Sequence, residues 1–191
     1  AAIALLIASE EIMSCLFGYG SFDEESVMNS AKALFFFAIG LPAFSLIKVF
    51  SSFFFARDNT KIPFYISLIS VLLNIIISVT FFNKIGFIII PIATTISSWT
   101  NSFLLFVFLK KNKLFFFNIS FLSKFIRIMI SSVMMAIFFN YLIIIFENKL
   151  AYEENFKSAY IIGAVLMSIF FYLIIAIAIK AFKISDIKLK Y

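Results

Sequence analysis

The stretch PFYISLISVLLNIIISVTFF, residues 63–82, decides the fold, because it runs for 20 residues without a charge. A helix rising 1.5 Å per residue needs about that many apolar residues to cross the roughly 30 Å hydrocarbon core of a bilayer. The same pattern recurs on both sides. Uninterrupted apolar segments cover about residues 1–17, 27–56, 63–82, 87–109, 125–146 and 158–182, which predicts an all-α polytopic transmembrane bundle of about six helices. The connections are short, and the longest, from Lys110 to Lys124, is itself studded with Phe. A single transmembrane domain over residues 1–191 is therefore expected.

Composition agrees. The chain is 63% hydrophobic and 14% charged, with 29 Phe and a mean hydropathy of +1.10, whereas a soluble domain carries roughly a quarter charged residues. It has no His and a single Cys, Cys15, which excludes a His-based triad, a multi-ligand Cys/His metal centre and an intrachain disulfide. The net charge of +6 resides in the gaps between apolar runs, so it speaks of membrane topology and not of nucleic acid. The opening Ala1-Ala2-Ile3-Ala4-Leu5-Leu6 lacks Met and a basic leader, and the chain is expected to be the C-terminal piece of a longer protein.

Start and stop signals fit these spans. Ser21, Asp23 and Ser26 offer capping oxygens before the second segment, where acidic Asp23, Glu24 and Glu25 also suit a helix N-terminus. Pro63 falls in the first turn of the third helix, and Gly86 punctuates the turn into the fourth. Gly40-Leu41-Pro42 lies in mid-span, which predicts a kink near Leu41. Orientation follows from alternate connections: Arg57, Lys61, Lys110, Lys111, Lys113, Lys124, Lys183, Lys188 and Lys190 make nine basic residues on one side, against three on the other, Lys84, Lys149 and Lys157. The richer side is expected to be cytoplasmic, with the C-terminus inside.

Lys48 is the sharpest anomaly, an ammonium within a span. Two readings stay open: its stem snorkels toward Arg57, nine residues on, or it faces a polar cavity and meets an anionic substrate. Asn74 and Ser78 share one face of the third helix at i, i+4, and Thr94, Thr95, Ser97, Ser98 and Asn101 cluster in the fourth. Oxygens so placed can coordinate Na⁺ or bridge helices. Arg127, three residues after Lys124, suits a headgroup anchor or a pyrophosphate contact. Glu10 and Glu11 close the first segment on the outer side; as neighbours on a helix they point about 100° apart and make no acid/base pair.

Two stretches carry a resemblance. LFGYGSF at residues 16–22, and GLPAFSLIKV at 40–49 running into FFARDNTKIP at 54–63, resemble the MurJ (MviN) family of lipid II flippases, and the similarity continues through Asn74, Ser78, Gly86 and Thr94. The resemblance implies a fourteen-helix exporter fold of the multidrug/oligosaccharidyl-lipid/polysaccharide superfamily, of which this chain holds roughly the last six. It implies transport without covalent chemistry: movement of an undecaprenyl-diphosphate-linked disaccharide-pentapeptide from the cytoplasmic to the periplasmic leaflet of a bacterial inner membrane, by alternating access, driven in part by membrane potential. The implied partners are lipid II and membrane lipids, with a monomeric full-length protein. Lys48, Arg57 and Arg127 map to substrate-binding or gating positions. Asn74, Ser78 and Thr94 map to a Na⁺ site, Ser78 standing where the family often has Asn or Asp. The last two helices, with Met135 and Met167, map to a groove for the polyprenyl tail.

Two other functions compete. A cation-coupled drug or polysaccharide exporter of the same superfamily would lack the motifs quoted above. A proton-conducting respiratory subunit would need buried relays, whereas the acidic residues here lie at or beyond helix ends.

Overall fold

The structure is a computed structural model that describes residues 1–112, 119–152, 154 and 156–181. It is helical throughout those residues: α1 (Ala2–Ile7), α2 (Ser9–Phe17), α3 (Glu24–Phe55), α4 (Lys61–Ile85), a 3₁₀ turn (Gly86–Ile88), α5 (Ile89–Lys111), α6 (Ile119–Ile145), α7 (Glu147–Leu150) and α8 (Lys157–Ala178). Four helical stretches are long and apolar enough to cross a membrane: Glu24–Phe55, Lys61–Lys111, Leu122–Ile145 and Lys157–Ala178. The second, 51 residues long, is α4 and α5 folded back on each other at the 3₁₀ turn. Five of the six expected segments thus form helices of 22 to 32 residues. Lys113, Lys183, Lys188 and Lys190 lie outside the described residues.

The first segment departs from expectation. Instead of one span it makes helices of 6 and 9 residues, broken at Ala8, whose backbone leaves the helical region (φ −119°, ψ 37°). The reason is legible afterwards: Ser9-Glu10-Glu11 is a helix-start pattern, and both carboxylates sit in the first turn of α2, where they complement its positive end. Glu10 and Glu11 therefore open a helix.

Helix α3 begins three residues before the expected boundary, because Asp23 is the residue that caps it. Its Oδ1 accepts the Ser26 N–H at 2.9 Å, and hydrogen bonding by Ser26, first through its hydroxyl and then through its amide, holds the Asp23 carboxyl below the usual range. The other end is a shared joint. The Asn59 N–H closes α3 on the Phe54 carbonyl, with Asp58 in the left-handed region (φ 55°), and the Asn59 Oδ1 accepts the Ile62 N–H that opens α4. Pro63 sits in the first turn of α4 as expected, and α3 continues through Pro42 without interruption.

The chain packs as two compact units, residues 32–116 and, in the main, residues 3–31 with 117–191. In the first, Phe50 and Phe54 of α3 meet Ile66 of α4 and Leu105 and Leu109 of α5. In the second, Ala8 and Cys15 pack with Phe139, Leu142, Ile143, Leu150, Ile161 and Ala164. Both cores are small. Of the most apolar 18-residue window within Lys61–Lys111, only 17% is buried inside the protein, so long rows of Ile, Leu and Phe face outward. In water such a surface is an aggregation liability, and in a bilayer it is the required solvent boundary.

Candidate functional site

The interior of the first unit reverses the usual pattern: the side chains turned inward include Ser70, Thr95, Ser97, Ser98, Asn101 and Ser102, each buried. Because α4 and α5 run antiparallel, Asn74 comes opposite Thr94 and Ser97, and its Nδ2 donates to Thr94 Oγ1 at 3.1 Å and to Ser97 Oγ at 3.4 Å. The hydroxyls in turn donate to their own helix: Thr94 to the Ile90 carbonyl at 2.8 Å, and Ser97 and Ser98 to the Thr94 carbonyl at 3.0 and 2.6 Å. These groups, with Ser67, Ser70 and Asn101, and Phe44 and Ile47 of α3, line a cleft of about 390 Å³.

Helix α3 is drawn to this cleft by its own defect. Pro42 cannot donate to the carbonyl four residues back and disturbs the turn before it, and α5 supplies replacement donors there. Thr95 Oγ1 donates to the Phe36 carbonyl at 2.7 Å and Trp99 Nε1 to the Ile39 carbonyl at 3.1 Å, the repair by a neighbouring helix that makes proline tolerable in a membrane. Gly40 permits the approach, since a Cβ there would stand 3.1 Å from Thr95 Oγ1 and 3.3 Å from the Phe44 ring.

Two buried oxygens remain orphaned among the described residues, Ser78 Oγ one turn beyond Asn74 and Asn101 Oδ1. An unpaired buried acceptor costs free energy. Uncharged hydroxyl and amide oxygens grouped at mid-span are a donor set that suits a hard monovalent cation such as Na⁺, so the residues present fit the expected ion.

The remaining sequence candidates lie elsewhere. Lys48 is exposed on α3 and, among the described residues, makes no hydrogen bond or ion pair; the α3 wall of the cleft is Phe44 and Ile47. Arg57 is exposed in the joint after α3, at the negative end of that helix. In the second unit, Arg127 Nη1 donates to the Lys180 carbonyl at 3.2 Å, reinforcing the end of α8, where Lys180 (φ 57°) and Ala181 bond back to Ile177 and Ala176. Met135 is buried and Met167 exposed. Between α6 and α8 an apolar cavity of about 330 Å³ is lined by Met134, Ile137, Phe138, Tyr141 and Phe171, with the Phe138 and Phe171 rings stacked at 4.3 Å.

Sequence reasoning missed Lys157. Counted as a loop cation, it is 1% exposed: its Nζ donates to the Gly18 carbonyl at 2.8 Å and the Tyr152 carbonyl at 2.6 Å and lies 4.6 and 4.5 Å from the Tyr19 and Tyr152 ring centroids. The clamp continues through Tyr19 Oη to Ser158 Oγ at 2.6 Å, Ser158 Oγ to the Cys15 carbonyl at 2.7 Å, and Tyr152 Oη to the Phe22 carbonyl at 2.6 Å. Gly18 is obligatory here, since a Cβ would fall 2.5 Å from the Ser14 carbonyl oxygen and 3.2 Å from Lys157 Nζ. The sequence signal was the pair of glycines around Tyr19; its partner is 139 residues away.

Comparison with known proteins gives one answer. The family model described as "Lipid II flippase MurJ" matches residues 1–161. The chain is 37% identical over 136 residues, 71% of its length, to the probable lipid II flippase MurJ of Rhizobium meliloti, covering 25% of that protein. It is 32% identical over 111 residues, 58% of its length, to the one from Rickettsia prowazekii, covering 22% of it. To the one from Thermotoga maritima it is 40% identical over 95 residues, half of its length, covering 20% of it. The chain thus spans about a quarter or less of the length of these relatives.

Proposed function

Because this chain belongs to the MurJ family of lipid II flippases, we propose that it forms part of a transporter moving lipid II, an undecaprenyl-diphosphate-linked disaccharide-pentapeptide, from the cytoplasmic to the periplasmic leaflet. The observation that carries this reading is the polar cleft. Buried hydroxyls and amides at mid-span of otherwise apolar helices are costly in lipid unless they serve a path for a polar group. The sugar-peptide head would use such a path while the polyprenyl tail stays in lipid, lying along the apolar cavity between α6 and α8. No bond is made or broken. Part of the work would come from the membrane potential, about 2.3 kcal/mol per charge per 100 mV.

Asn74, Ser78 and Thr94, joined by Asn101, would hold Na⁺, whose binding would fill the two orphaned oxygens and favour one arrangement of α4 and α5. Lys48 and Arg57 would meet the anionic head from the cytoplasmic side. The basic asymmetry of the loops supports a cytoplasmic C-terminus, and the full-length protein would act as a monomer. The test is lipid II flipping by the full-length protein in proteoliposomes, with Na⁺ titrated. Asn74→Ala should insert normally and yet need several-fold more Na⁺ or lose transport. Unchanged transport and an unchanged Na⁺ requirement would remove the cleft from the mechanism.

A further inference from the structure

A second polar cavity lies in the other unit, away from the cleft. It has a volume of about 190 Å³ and is lined by four carboxylates, Glu10 and Glu11 of α2, Glu24 at the start of α3 and Glu147 at the start of α7, together with Ser14 and Tyr152. All four stand where helices begin, at the end of the unit to which α3, α7 and the α8 N-terminus also come. In a membrane that end lies at the headgroup boundary. Among the described residues none of the four carboxylates is in an ion pair. The nearby ammonium of Lys157 is committed to the Gly18 and Tyr152 carbonyls and to two rings.

Carboxylates alone could simply be a solvated surface. Ser14 argues otherwise. It is 6% exposed, it lines the cavity, and its Oγ has no hydrogen-bond partner, so a buried hydroxyl is left waiting at the base of an acidic cavity. Among the described residues no three Asp, Glu, Cys or His side chains gather closely enough to hold a bare metal ion. The occupant must therefore bridge the gaps by its own size, and 190 Å³ corresponds to roughly six water molecules at about 30 Å³ each. A primary ammonium has three donors and no acceptor, complementary to carboxylates and a hydroxyl lone pair. We infer that this cavity is a binding site for a primary ammonium group, carried by a soluble amine or by an aminolipid headgroup at the membrane surface. The inference does not depend on the transport reading.

Titration calorimetry of the full chain in phosphatidylcholine nanodiscs, which offer no primary amine, with cadaverine at low salt tests it. Saturable binding is expected. Glu10→Gln, Glu147→Gln and Ser14→Ala should each weaken it by about tenfold, while Glu25→Gln, an exposed carboxylate outside the cavity, should leave it unchanged. In phosphatidylethanolamine nanodiscs a loss of cadaverine affinity identifies the lipid headgroup as occupant, and no change identifies a soluble amine; either result supports the site. Absence of saturable binding, equal weakening by Glu25→Gln, or displacement of cadaverine by equimolar Mg²⁺ would overturn it. Should the variants fail to fold, carbodiimide coupling on the unaltered chain decides: cadaverine should attach at Glu10, Glu24 or Glu147 in preference to Glu25, and uniform coupling refutes the site.

Discussion

Replacing Lys157 by Met keeps the length and apolar stem of the side chain and deletes its charge, so it isolates what the clamp contributes. Two hydrogen bonds from a charged donor, at 2.8 and 2.6 Å, contribute about 1.5–3 kcal/mol each. Two rings within 4.6 Å add about 0.5–2 kcal/mol each. Against them stands the several kcal/mol of desolvating an ammonium, which the variant recovers. The variant also leaves two carbonyls without a donor, so the balance is a loss of about 2 kcal/mol in closing the segment after α2 onto α8. At about 1.4 kcal/mol per factor of ten that is about a 30-fold rise in the population of the opened form. Cys15 reports it directly: it is the single cysteine, buried at 2% exposure, and its carbonyl is bonded by Ser158 in the same clamp. Its rate of alkylation by a small membrane-permeable maleimide, in the full chain in nanodiscs, should rise about 30-fold in Lys157→Met. Lys157→Arg, which retains charge but not the compact fit, should fall between. A rate in Lys157→Met within about threefold of the unaltered chain would refute the clamp as a source of local stability.

Three further outcomes are expected. In a Cys15-free background, Cys at Asn112 should be protected from an impermeant thiol reagent in intact cells while Cys at Asn148 is labelled; the reverse pattern would overturn the proposed orientation. Asp23, whose folded carboxyl titrates below its unfolded value, stabilises the start of α3 at pH values above the unfolded pKa of about 3.9, and that contribution disappears as pH falls through the lower folded value. Amide protection at Ser26, corrected for intrinsic exchange, should therefore decline below about pH 4 in the unaltered chain and stay level in Asp23→Asn, which keeps the capping oxygen without the proton. Gly40→Ala should destabilise α3 against α5 by about 1 kcal/mol despite better helix propensity. The Thr95 hydroxyl that a Cβ would crowd at 3.1 Å is pinned by its bond to the Phe36 carbonyl. A raised melting temperature would show that Thr95 yields.

What the sequence determined by itself was everything that depends on the bilayer as solvent. Crossing a slab about 30 Å thick demands a run of apolar residues that no other fold class needs, so α3, α4, α5, α6 and α8 were legible from hydropathy, and Asp23, Pro63 and Gly86 marked ends that the structure retains. Asn74 and Thr94 were legible as candidates because polar side chains at mid-span are rare and costly. The break at Ala8 was hidden because Ala, Leu and Ile suit two short helices as well as one long one. Only tertiary structure decided which polar groups meet. The antiparallel return at Gly86 brings Asn74 within 3.1 Å of Thr94, α5 mends the backbone around Pro42, and Lys157 reaches a carbonyl 139 residues away. Hydropathy scores each residue against lipid or water, whereas the fate of a buried donor depends on an acceptor that the chain delivers from a distant position. For that reason Lys157 resembled a loop cation until the fold closed around it.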